Sequence, residues 1–147
     1  MTLSRSALML AAASLVLAGC ARTSLQPKAS EPERAPSGAE VRIVPSMNGK
    51  FEGEVSGTPA PESRFAKVKI GMELQQVLKL IGVYDDIYSH ETGKRWIPFY
   101  YGNDARRVVV HYKGEGCLTY TGGNVWGGGG NELIRIDNDP AGKCYQP

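Results

Sequence analysis

The spacing of apolar residues changes several times along the chain, and each spacing predicts a different kind of element. Residues 7–17 are apolar apart from Ser14 and follow Arg5. That run is too short to cross a bilayer as a helix, and its order, positive charge then apolar core, is that of an export signal. From residue 21 to about residue 40 no hydrophobic period survives, and Pro27, Pro32 and Pro36 stand among Ser, Glu, Lys and Arg. Such a segment buries too little apolar surface to offset the entropy of ordering it, so a disordered tether is expected, with a root-mean-square reach of about 25 Å. Short alternations at 41–45 and 51–55 read as edge strands of an otherwise irregular segment, 41–60, because Gly and Pro interrupt them.

Beyond residue 61 the pattern tightens into one domain, 61–147. Ser63 is placed to cap a short helical turn carrying Phe65, Ala66 and Val68, ending before Gly71. Over 71–82, Leu74, Val77, Leu78 and Ile81 fall at i, i+3, i+4 and i+7, the stripe of an amphipathic helix that packs on a sheet. Gly82 suits the left-handed C′ position, and Glu73 and Lys79 match the helix dipole. After a turn-rich loop at 83–92 the period becomes 2, which predicts strands at 95–101, 106–112, 117–121 and 132–137, the first pushed to an edge by Pro98. The short links Gly102-Asn103-Asp104 and Gly114-Glu115-Gly116 make the first three of these an antiparallel meander. Val108, Val110, Tyr112, Leu118, Tyr120, Ile134 and Ile136 should face the helix, with Arg107, Val109, His111, Thr119 and Arg135 opposite. The expected fold is therefore α+β and two-layered: one or two short helices on one face of a three- to four-stranded antiparallel β-meander.

Composition and chemistry narrow the function mostly by exclusion. At 147 residues with a net charge of +2, and with basic residues scattered among acids, the chain has no stripe that would track phosphates, so nucleic acid is not an expected partner. Two of the three cysteines, Cys117 and Cys144, lie in the folded part. In an exported chain they are a candidate disulfide, worth about 3.5 kcal/mol by loop entropy; the alternative is a buried apolar Cys117 and a free thiol at Cys144. His90 and His111 lack metal-ligand spacing, and Asp85-Asp86 and Asp137-Asn138-Asp139 lack the distal Glu of a calcium loop, so turn chemistry explains the acids and no metal or cofactor is expected. The glycine-rich stretch 122–131 has no following Lys-Ser or Lys-Thr and runs into a strand, which rules out a phosphate loop. No nucleophile elbow occurs either, and a non-catalytic protein is expected. Trp126, set among glycines, is suited to anchoring a partner or sitting at a lipid interface; the alternative is that it folds back over a sheet edge. The candidate partner contacts are Trp96, Arg107, His111, Trp126 and Arg135.

Leu17-Ala18-Gly19-Cys20 resembles the lipobox of bacterial lipoproteins. The resemblance implies a signal peptide over 1–19, diacylglycerol on Cys20 as the new amino terminus, a tether over 20–40 and, with Ala21 and not Asp beside the cysteine, sorting to the outer membrane. Several acyl chains at about 0.8 kcal/mol per buried methylene make such an anchor effectively permanent. The Ile70-Gly71-Met72 opening, the helix with Val77 and Gly82, the Trp96 strand and Tyr112-Lys113-Gly114-Glu115-Gly116 with Leu118 are similar to the SmpA/OmlA (BamE) lipoprotein family. That family implies two helices on an antiparallel sheet, held at the periplasmic face of the outer membrane in the service of β-barrel assembly. Glu73 and Tyr84 depart from its pattern, as do the glycine-rich insertion and the paired cysteines. The expected function is thus an outer-membrane-anchored interaction module with a periplasmic or outer-membrane protein partner; the alternative is a periplasmic inhibitor or ligand-binding domain of the β-lactamase-inhibitor-like type.

Overall fold

A computed structural model describes Ala35 and residues 37–147. The signal segment, Cys20 and nearly all of the tether fall outside the described residues. The remaining chain builds one six-stranded sheet in the order β1-β2-β6-β5-β4-β3. Its strands are β1 (Val41–Pro45), β2 (Glu52–Ser56), β3 (Asp86–Glu91), β4 (Arg106–Tyr112), β5 (Gly116–Thr121) and β6 (Leu133–Asn138), with a single α-helix, α1 (Leu74–Ile81). Neighbouring strands run antiparallel except β2 and β6, which pair in parallel through Glu54 with Arg135, Val55 with Ile136 and Ser56 with Asp137.

This corrects the expected three- to four-stranded antiparallel meander. Strands β3 to β6 do form a meander, but the 41–60 segment is no irregular flank: it supplies a hairpin whose second strand lies inside the sheet, between β1 and β6. Parallel pairing of β2 and β6, which are nearly eighty residues apart by number, is a nonlocal event that no local spacing announces. Gly53, which interrupts the alternation, is what lets β2 fit. A Cβ there would lie 2.6 Å from the Ile134 carbonyl oxygen and 2.6 Å from Ile70 Cγ2.

The other displaced strand is the first of the meander. Residues 95–101 form no strand: a 3₁₀ turn covers Gly93–Trp96, and Phe99 has a φ of 61°. Pro98 lacks a ladder donor and five consecutive apolar residues follow Trp96 without alternating, so neither face could be buried as a unit. The edge is filled instead by Asp86–Glu91, which pairs with β4 from Asp86 opposite His111 to Glu91 opposite Arg106. That strand was expected to be loop. Being at an edge and largely exposed, it needs no apolar run to pair.

The main core lies between the sheet and the segment that carries α1. Val110, Tyr112, Leu118, Tyr120, Leu133 and Ile136 meet Phe65, Ile70, Val77 and Ile81. Ser63 caps the 3₁₀ turn Arg64–Lys67, its hydroxyl accepting from the Phe65 N–H at 3.1 Å, which seats Phe65 edge-on against Tyr112. At α1 the Glu73 N–H donates to Gln76 Oε1 at 3.0 Å, and Gly82 ends the helix with a φ of 89° and a ψ of −176°, a positive-φ glycine conformation other than the left-handed helical one expected. One inward residue also changes. A bulge shifts the β5–β6 register so that Tyr120 faces Leu133, and Leu133, fully buried, takes the core position expected of Ile134.

Candidate functional site

The face of the sheet away from α1 carries the candidate chemistry, and the strand register sorts it into rows. Towards one end lie Ser56, Asp137, Cys117, His111 and Asp86; in the middle Glu54, Arg135, Thr119, Val109 and Tyr88; towards the other end Thr121, Arg107 and His90. The carboxy-terminal segment folds back over the first of these. The expected disulfide is present: Cys117 and Cys144 are joined, both buried, and with Val109 they make a second small core flanked by Tyr88 and Tyr145. Tyr145 stacks on His111 with ring centroids 5.0 Å apart and meets Tyr88 edge-on at 5.2 Å. The tail therefore covers His111, whose Nδ1 lies 3.4 Å from Asp86 Oδ2. His111 sits away from the other expected partner contacts.

Arg107 and Arg135 are brought together on the half of the face that the tail leaves open. They line a cavity of about 340 Å³ with Glu54, Asp104, Phe51 and Ile134. Arg135 donates to Glu54 and, through Nε, to Asp137 Oδ2 at 2.8 Å; Asp137 also accepts from the Ser56 hydroxyl at 2.7 Å. Arg107 grips Asp104 through Nε at 2.9 Å and Nη2 at 3.1 Å, and Lys94 Nζ reaches the same carboxylate at 2.7 Å. Burial opposes the charge on Asp104, but the hydrogen bonds from Arg107 and Lys94 outweigh it and hold the carboxyl below its ordinary range. The Asp104 hydrogen bond in turn raises the Arg107 pKa. Both guanidinium groups are thus already paired, and the cavity is lined by these ion pairs together with Ile134 and with Phe51, which also packs against the main core.

Trp96 and Trp126 come together elsewhere, on the loops that leave the far end of the sheet. The loop between β3 and β4 and the loop between β5 and β6 are tied by backbone hydrogen bonds: Gly123 N–H donates to Asn103 O at 3.0 Å and Ala105 N–H to Gly123 O at 3.2 Å. Between them they expose Trp96, Ile97, Phe99, Tyr101 and Trp126, the two indoles at 79% and 78%. Trp126 does not cover a sheet edge. The sequence reading missed Ile97, Phe99 and Tyr101 here because it placed them in a strand; the signal was present as an apolar run that fails to alternate and contains Pro98.

Among the described residues no group of three or more His, Cys, Asp or Glu side chains is arranged to hold a metal ion, and no helix is long and apolar enough to cross a membrane. No family model, curated protein or solved structure matches the chain.

Proposed function

We propose that the protein is a non-catalytic, outer-membrane-anchored lipoprotein whose folded domain acts as a protein-interaction module of the periplasm, an accessory to outer-membrane protein assembly or envelope integrity. The observation that carries this reading is the open half of the outer sheet face, where a cavity lined by the Arg107 and Arg135 ion pairs also reaches Phe51 and Ile134. A surface that mixes apolar side chains with hydrogen-bonded polar groups, arginine among them, has the composition of a protein contact surface. The lipobox at Cys20 and the likeness to the SmpA/OmlA family support the location. A photo-crosslinking residue in place of Glu52, at the rim of this cavity, tests the reading in intact envelopes: barrel-assembly subunits or another outer-membrane protein are the expected adducts.

The cavity's volume of about 340 Å³ also falls at the lower end of the range of small-ligand sites, and this favours a second reading, a periplasmic inhibitor or ligand-binding domain. Recovery of one soluble enzyme, or of a glycan, from the same crosslinking would decide for it.

A further inference from the structure

We propose that the two aromatic loops form a lipid-contacting pole that seats in the headgroup region of a bilayer. Residues 96–103 and 122–131 contain no Asp, Glu, Lys or Arg, yet they display five large apolar side chains, with Phe99 86% exposed and Tyr101 70% exposed. An apolar patch of that size on a soluble surface marks a contact. Its chemistry selects the occupant. Trp, Tyr and Phe are the side chains that settle at a membrane–water interface, and the charged residue that borders the patch, Arg95, is paired with Glu91 at 2.9 Å and is of the type that reaches lipid headgroups. Within the loop, Asn124 Oδ1 accepts from the Trp126 N–H at 2.9 Å and the Gly128 N–H at 3.0 Å, so this polar side chain is turned to the loop's own backbone.

The geometry allows the pole and the anchor to share one bilayer. Strand β1 begins at Val41, in the row of Ser56, Asp137 and Cys117, and the aromatic loops leave from the opposite end, beyond Arg107 and Thr121. The seven residues of β4 measure the distance between those ends at about 24 Å. The fourteen residues between Cys20 and Ala35 can extend to about 50 Å at most, so a chain anchored at Cys20 can turn this pole back to the membrane. In this respect the inference rests on the proposed lipid anchor; the affinity of the pole for lipid does not.

The two tryptophans of the chain, Trp96 and Trp126, both belong to the pole, so tryptophan fluorescence reads it alone. The full chain is reconstituted with phosphatidylcholine vesicles carrying brominated acyl chains, which quench only indoles at bilayer depth. We expect a blue-shifted, quenched emission in the wild type and in each of Trp96→Phe and Trp126→Phe. Phe99→Asp, at an exposed position, is expected to lower the pole's partition constant for the bilayer, read from the lipid dependence of quenching, about tenfold, the loss of one buried aromatic side chain. Co-sedimentation with unquenched, water-like emission would overturn the inference and leave the anchor standing. Acyl labelling that persists in Cys20→Ser would instead overturn the anchor, and quenching in that variant would leave the pole standing. A chain that neither sediments nor quenches would remove both.

Discussion

At the scale of single residues, the chain spends its ionisable side chains on holding segments together. Glu115 is the clearest case. Burial disfavours its charge, but the Ser63 hydroxyl, the Arg64 side chain and the Arg64 N–H all donate to the carboxylate and hold its pKa below the ordinary range. It thereby ties the β4–β5 turn to the 3₁₀ turn that places Phe65. Asp104 does the same for Lys94 and Arg107. Both carboxyls are depressed in the folded state, so their stabilisation is complete above the unfolded pKa of about 4 and is lost as the pH falls through the folded value. Stability measured by urea unfolding is therefore expected to drop below pH of about 4. Glu115→Gln should be less stable than wild type at neutral pH by about 1 kcal/mol and should show a flatter acid limb. An acid limb unchanged by this substitution would remove Glu115 from the account.

At the scale of elements, what could be read from sequence was what local spacing determines. The helix stripe of Val77 and Ile81, the strands through Val110 and Leu118, and the Ser63 cap all follow from neighbours within a few positions, and they stand where expected. The parallel docking of β2 on β6 did not show, because it depends on Gly53 meeting Ile134 and Ile70 across the fold. Edge strand β3 did not show either, since Tyr88 finds its apolar partner in Tyr145, far along the chain. Of the candidate site, the two tryptophans were visible as aromatics in odd surroundings, while the pairing of Arg107 with Asp104 and of Arg135 with Glu54 belongs to the tertiary register. The apolar residues at 97–101 misled as a strand because local rules assume apolar side chains are buried, and here they are displayed. A test of the hairpin's place is Gly53→Val. With the backbone of Ile134 in the way, we expect a loss of about 1–3 kcal/mol by thermal or urea unfolding, whereas a free-standing hairpin would tolerate it.

At the scale of the molecule, the sheet has α1 and its flanking segment over one face and a disulfide-pinned tail over half of the other, leaving a polar cleft and an aromatic pole uncovered. The tail's position depends on Cys117–Cys144, which closes 27 positions of sequence; reduction is expected to lower stability by about 3.5 kcal/mol and to expose Val109 and His111. Coincident urea curves for reduced and oxidised protein would contradict that role. The uncovered surfaces serve an interaction module only if the domain is held at the envelope, and this makes Cys20 the residue on which the account turns. Its direct test is acyl labelling followed by membrane fractionation of wild type and Cys20→Ser. A labelled wild type in the outer-membrane fraction and an unlabelled variant released from it are expected; labelling that survives the substitution, or a wild type recovered in the soluble periplasm, would contradict the lipid anchor.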